Sequence, residues 1–107
     1  MREKYFVLIN EEVSKVTYAL CVLRDTISGP ISRIERTDTA ALDNIVDIAL
    51  SWVRDLDAAV VCDVAYGGRL HGVAYNYGWQ ISKIKNRNEF PYVEFICGLR
   101  NIVEVRP

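Results

Sequence analysis

Thiol and imidazole chemistry have little to work with here: the chain of 107 residues holds three cysteines and one histidine. Cys21, Cys62 and Cys97 show no CxxC spacing, and their number is odd, which suggests neither a disulfide framework nor a zinc site. Each sits in an apolar run and is expected to serve as a small core residue. His71 has no second histidine, and no serine or cysteine accompanies it in a suggestive pattern, so nucleophilic and zinc chemistry lack support. It is expected to be a partly exposed helix residue.

A positive balance is missing as well. Thirteen Lys and Arg stand against fourteen Asp and Glu, a formal net charge of −1. Strong non-specific nucleic-acid binding usually accompanies a basic chain, so any such contact must come from a local patch. After Met1-Arg2-Glu3-Lys4 only five apolar residues follow, too few for a signal peptide or a membrane span. A cytoplasmic protein without a membrane segment is expected. The chain shows no internal repeat, low-complexity tract or linker, and it reads as a single domain over residues 1–107.

Half of the residues are hydrophobic, enough for a real core. Tyr5-Phe6-Val7-Leu8-Ile9 is an apolar run of strand length. Val16 to Leu23 is rich in β-branched and aromatic residues, and the short connection makes it the antiparallel partner of the first run. Ser28-Gly29-Pro30 is a turn signal, and Ile31 to Arg36 reads as a third, edge-like strand. From Asp38 to Leu56 the period changes. Leu42, Ile45, Val46, Ala49, Trp52, Val53 and Leu56 recur at three and four residues, the mark of an amphipathic helix. Thr37, Asp38 and Thr39 offer N-caps, and Asp43 and Arg54 suit the helix dipole. A strand over Ala58–Val64 follows almost at once, and a right-handed crossover would set it parallel to one of the first three. Arg69 to Asn86 fits a helix through Leu70, Val73, Ala74, Tyr77, Ile81 and Ile84. It fits a strand equally well through alternate residues from Val73 to Ile81. Tyr92 to Ile96 reads as a last strand, and Arg100 to Val105 as a short helix or strand.

The stretch from Ala58 to Gly68 is the most informative. A strand buried on both faces reads as a near-continuous apolar run. This one ends on Asp63 and opens into Ala65-Tyr66-Gly67-Gly68. Ligands of open α/β sheets bind at the carboxyl ends of such strands, which makes Asp63 a candidate functional group. Its simpler role is to cap the turn. Arg69, Lys83, Lys85 and Arg87 could meet phosphates, or form a solvated face balanced by Glu89. Tyr66, Tyr75, Tyr77 and Trp79 could stack on bases, or belong to a core or dimer interface. Arg100 and Asn101 follow the last strand and could reach the cleft or cap a helix.

Within this order of elements, the sequence resembles the RuvC family of Holliday-junction resolvases, especially its phage-type members. Tyr5 to Asn10 running into Val16-Thr17-Tyr18-Ala19 is similar to the family's first strand, turn and second strand. Ala59 to Arg69 is similar to its fourth strand and glycine-bearing turn. Gly72-Val73-Ala74 and Pro91-Tyr92-Val93-Glu94-Phe95 complete the match. The resemblance implies an α/β, ribonuclease H-like fold. Its sheet is mixed and five-stranded, with three antiparallel strands followed by parallel strands and crossover helices. It also favours a helix after Arg69 and a possible homodimer built with an apolar helix face.

In that family two divalent ions clamp the attacking and leaving oxygens of a phosphodiester. Magnesium takes hard oxygen ligands, chiefly carboxylates and water. The resemblance puts Asn10 where the family has Asp, and Asp63 where it usually has Glu. Glu11 and Glu12 are the other carboxylates near the first position. Glu104 falls in the segment matching the post-strand helix, away from the expected ligands. The match ends at Pro107, before the family's last helix with its further carboxylates. An amide cannot bridge two cations, so the expectation is a catalytically impaired RuvC-like protein with no resident cofactor. It would bind branched or structured DNA or a protein partner. Two alternatives stand beside it. One is a Mg²⁺-dependent structure-specific endonuclease with Asp63 as metal ligand. The other is a small inhibitor or immunity-type interaction protein.

Overall fold

The computed structural model describes residues 3–82. Its elements run β1 (Glu3–Glu11), β2 (Val16–Thr26), β3 (Gly29–Ala40), α1 (Leu42–Leu56), β4 (Ala59–Asp63), α2 (Arg69–Tyr77) and β5 (Gln80–Ile81). The architecture is α/β, with one mixed five-stranded sheet in the order β3-β2-β1-β4-β5. β1 pairs antiparallel with β2, and β2 with β3. β4 lies parallel to β1, and β5 parallel to β4.

Burial explains the apolar runs. Phe6, Val7, Leu8 and Ile9 in β1 are all buried, as are Val60, Val61 and Cys62 in β4. A strand covered on both faces needs apolar side chains at every position rather than at every second one. Val7, Ile9, Tyr18, Leu20, Val60 and Cys62 form one cluster with Ile45 and Ala49 of α1 and Leu70 and Ala74 of α2. Phe6, Leu8, Ala19, Cys21, Leu23 and Val61 form a second cluster. Both helices therefore pack on the same sheet face, and the ring of Trp52 meets that of Tyr18 at 5.7 Å between centroids. The apolar face of α1 packs on the sheet through Ile45 and Ala49.

α1 begins later than its periodicity suggests. Thr37, Asp38 and Thr39 continue β3, opposite Ala19, Tyr18 and Thr17. The N-cap is Ala41, with no side-chain cap. Ladder pairing along β2 satisfies those backbone groups, so the hydroxyls and carboxylate are not used as caps. Asp43 in the first turn and Arg54 in the last lie where the dipole favours them.

The ambiguous segment resolves into both readings in succession. Arg69–Tyr77 is helical, and Gly78 ends the helix at φ 68°. The Trp79 N–H then donates to the Ala74 carbonyl at 2.9 Å. Gln80 and Ile81 pair with Val61 and Cys62. The described fifth strand is thus Gln80–Ile81. The strand expected over Tyr92 to Ile96 and the element over Arg100 to Val105 lie outside the described residues.

Candidate functional site

β1 and β4 run side by side in the same direction, with Phe6 opposite Ala59 and Asn10 opposite Asp63. The last pair stands at the carboxyl ends of both strands, where an open α/β sheet presents its side chains to a ligand. Alternation places Asn10 on the face of Phe6 and Leu8, and Asp63 on the face of Ala59 and Val61. Both residues are half-buried. The pair is thus an amide beside a carboxylate on the sheet face opposite the two helices.

The neighbouring carboxylates have structural partners. Glu11 ends β1, and its Oε1 accepts the Ala65 N–H at 2.8 Å. The Glu12 carboxylate accepts the Thr17 hydroxyl across the β1–β2 turn. Glu11 therefore ties the end of β1 to the turn that follows β4. That turn closes with the Gly68 N–H donating to the Ala65 carbonyl at 3.0 Å. Gly67 sits third in it at φ 75°. Positive φ at this position is disfavoured for residues with a Cβ, so glycine is required rather than incidental. The tether through Glu11 has no local sequence signal, because its two ends lie 54 residues apart.

The same turn raises an aromatic group into solvent. Tyr66 is 94% exposed, and its ring lies 5.0 Å from that of His71. His71 is partly exposed on α2, as its sequence context suggests. Tyr75 and Tyr77 are also exposed. Tyr77 stacks on Trp79 with centroids 5.2 Å apart, and Trp79 packs against the helix-side core. The three tyrosines are therefore surface groups, outside the core, while stacking on bases and a dimer interface both remain open to them.

Arg69 opens α2 and forms an ion pair with Asp43 of α1 at 2.5 Å, with both side chains well exposed. The pairing with Asp43 depends on where two helices meet, and Glu89, expected to balance this basic group, lies outside the described residues. Lys83, Lys85, Arg87, Arg100 and Glu104 lie outside the described residues. Cys21 and Cys62 are buried free thiols. Desolvation pushes both up to about 12, so neither supplies a thiolate near neutral pH.

Among the described residues, the donors beside Asn10 and Asp63 fit a pair of divalent ions poorly. Among the described residues no group of three or more His, Cys, Asp and Glu stands together as a metal site. Asn10 and Asp63 bring one carboxylate between them, and Glu11 turns one of its oxygens to the Ala65 N–H. Two-metal hydrolysis needs bridging carboxylates, and a neutral amide oxygen cannot substitute for one. Compared with protein-family models, curated proteins and solved structures, the chain matches none.

Proposed function

We propose that this chain is a ribonuclease H-like domain, akin to the RuvC-type resolvases but without their chemistry, that binds branched or locally unpaired nucleic acid. One observation carries the reading: Asn10 faces Asp63 at the carboxyl ends of parallel neighbours. The sheet order β3-β2-β1-β4-β5 supports the fold assignment, because in that fold the first and fourth strands meet in this way. The substitution of an amide for the first carboxylate supports binding without hydrolysis.

The exposed Tyr66 supports nucleic acid as the ligand. It follows Asp63 by three residues, and the tether to Glu11 holds its turn against β1. Base–aromatic stacking contributes about 1–3 kcal/mol per base and does not depend on sequence. A paired duplex hides its base faces, whereas a junction or an unpaired stretch offers them. With a net charge of −1, stacking carries more of the affinity than phosphate contacts. The salt dependence of binding is therefore expected to be shallow.

Fluorescence anisotropy with labelled four-way junction, single strand and duplex of equal length tests this. The junction and the single strand should bind more tightly than the duplex, with a salt slope corresponding to a few phosphate contacts at most. Equal affinity for all three would remove the preference for branched or unpaired nucleic acid, and no binding to any would remove nucleic acid as the ligand. A protein partner would then be the better reading.

A further inference from the structure

We infer that the chain pairs with a second copy of itself, edge to edge and antiparallel, along β3. Among the described strands β3 is the last on its side of the sheet, so part of its backbone hydrogen-bonding capacity faces outward. Charged side chains on an edge ordinarily discourage further pairing. On β3 their order favours one partner, an identical strand running the other way.

The register between β2 and β3 slips once. Leu20 stands opposite Arg36 and Cys21 opposite Ile34, which leaves Glu35 as the extra residue of a bulge. A regular strand alternates strictly, so two antiparallel copies stay in phase only when the two-fold axis passes through the centre of a residue. The bulge moves that axis. Ile31 and Arg33 share a face with Arg24 and Val22, while Arg36, Asp38 and Ala40 share the same face with Leu20, Tyr18 and Val16. Ser32, Ile34, Thr37 and Thr39 take the opposite face. The pattern is symmetric about the midpoint between Glu35 and Arg36.

A two-fold axis at that midpoint sets Arg33 opposite Asp38 of the second copy, and Glu35 opposite Arg36 of the second copy. Within one chain Arg33 already pairs with Glu35, and Arg36 lies 3.7 Å from Asp38. Each row alternates in sign, and the antiparallel row beside it alternates in the complementary order. Shifting the axis by one residue, to the midpoint between Ile34 and Glu35, keeps the faces in phase but sets Arg33 against Arg36, so charge selects the register. Ile31 and Ile34 are 56% and 43% exposed. The favoured register puts them opposite Ala40 and Thr37 of the second copy. None of this depends on what the chain binds.

Sedimentation velocity over a concentration series tests the interface with the native chain, Asp38→Arg, Arg33→Asp and an equimolar mixture of the two variants. Each variant alone sets like charges opposite each other twice, which should raise the dimer dissociation constant about tenfold. The mixture sets Arg against Asp at both positions and should recover the native value. Should circular dichroism show either variant unfolded, Glu35→Lys and Arg36→Glu give the same test. A native chain that stays monomeric at every concentration overturns the inference. So does a dimer that ignores the substitutions, or a mixture that fails to recover.

Discussion

Asn10 stands opposite Asp63 where two parallel strands end, an amide beside one carboxylate where a second negative charge would attract a cation. Asn10→Asp should restore that second charge. Like charges on directly opposed strand positions cost up to about 1 kcal/mol. The variant should therefore unfold at lower urea than the native chain in the presence of a chelator. Adding Mn²⁺ should raise the variant's midpoint and leave the native one in place, since only a site formed in the folded state links metal to stability. Equal responses of the two proteins would show that the amide is not what separates them.

Tyr66→Ala should separate binding from folding. With 94% of the side chain exposed, its loss should move stability by no more than about 0.5 kcal/mol. If a base stacks there, the affinity for single strand should fall by about tenfold or more. Anisotropy titrations beside thermal melts of the same preparation read both quantities.

Two glycines of the α2 segment should respond in opposite directions. Gly72 lies inside the helix, and a Cβ added there meets nothing within 4 Å. Gly72→Ala should therefore stabilise by about 0.5–1 kcal/mol through helix propensity and a less flexible unfolded chain. Gly78 is equally uncrowded but sits at φ 68°. Gly78→Ala should cost about 1 kcal/mol, because a side chain disfavours that conformation. Urea denaturation of both variants decides the signs.

The buried thiols give a pH dependence with a definite sign. Burial pushes Cys21 and Cys62 up from an ordinary value of 9.0 to about 12. Between those values the unfolded chain loses thiol protons that the folded chain keeps. The thiol contribution to stability is therefore complete below about pH 9 and declines as pH rises toward 12. Urea midpoints measured from pH 8 to 10.5 should fall, and replacing both cysteines by Ala should flatten that part of the decline.

The strands of this protein were legible where burial imposes a simple rule. β1 and β4 are apolar at nearly every position because both of their faces are covered, and α1 shows its period because one stripe meets the sheet. That β4 would run parallel to one of the first three strands followed from a helix joining two strands, and its place beside β1 only from the family resemblance. The N-terminus of α1 was not legible: Thr37, Asp38 and Thr39 are good caps in isolation, and only pairing with Thr17 to Ala19 keeps them in a strand. Nor was the division of the segment after Arg69, because local pattern allows both forms and the helix stops only where Gly78 takes a left-handed conformation. At the candidate site, Asp63 could be named as a carboxylate at a strand end, and Asn10 only through the family resemblance. The tether from Glu11 to Ala65 and the Arg69–Asp43 pair join residues distant in sequence, and periodicity carries no information about such contacts.

The most direct measurement incubates the native chain with a labelled four-way junction in Mg²⁺ and, separately, in Mn²⁺. Native and denaturing gels are then run from the same reaction. A retarded complex on the native gel with intact strands on the denaturing gel is the expected result. Cut strands from the native chain would contradict the loss of catalysis, and the absence of any complex would contradict nucleic-acid binding itself.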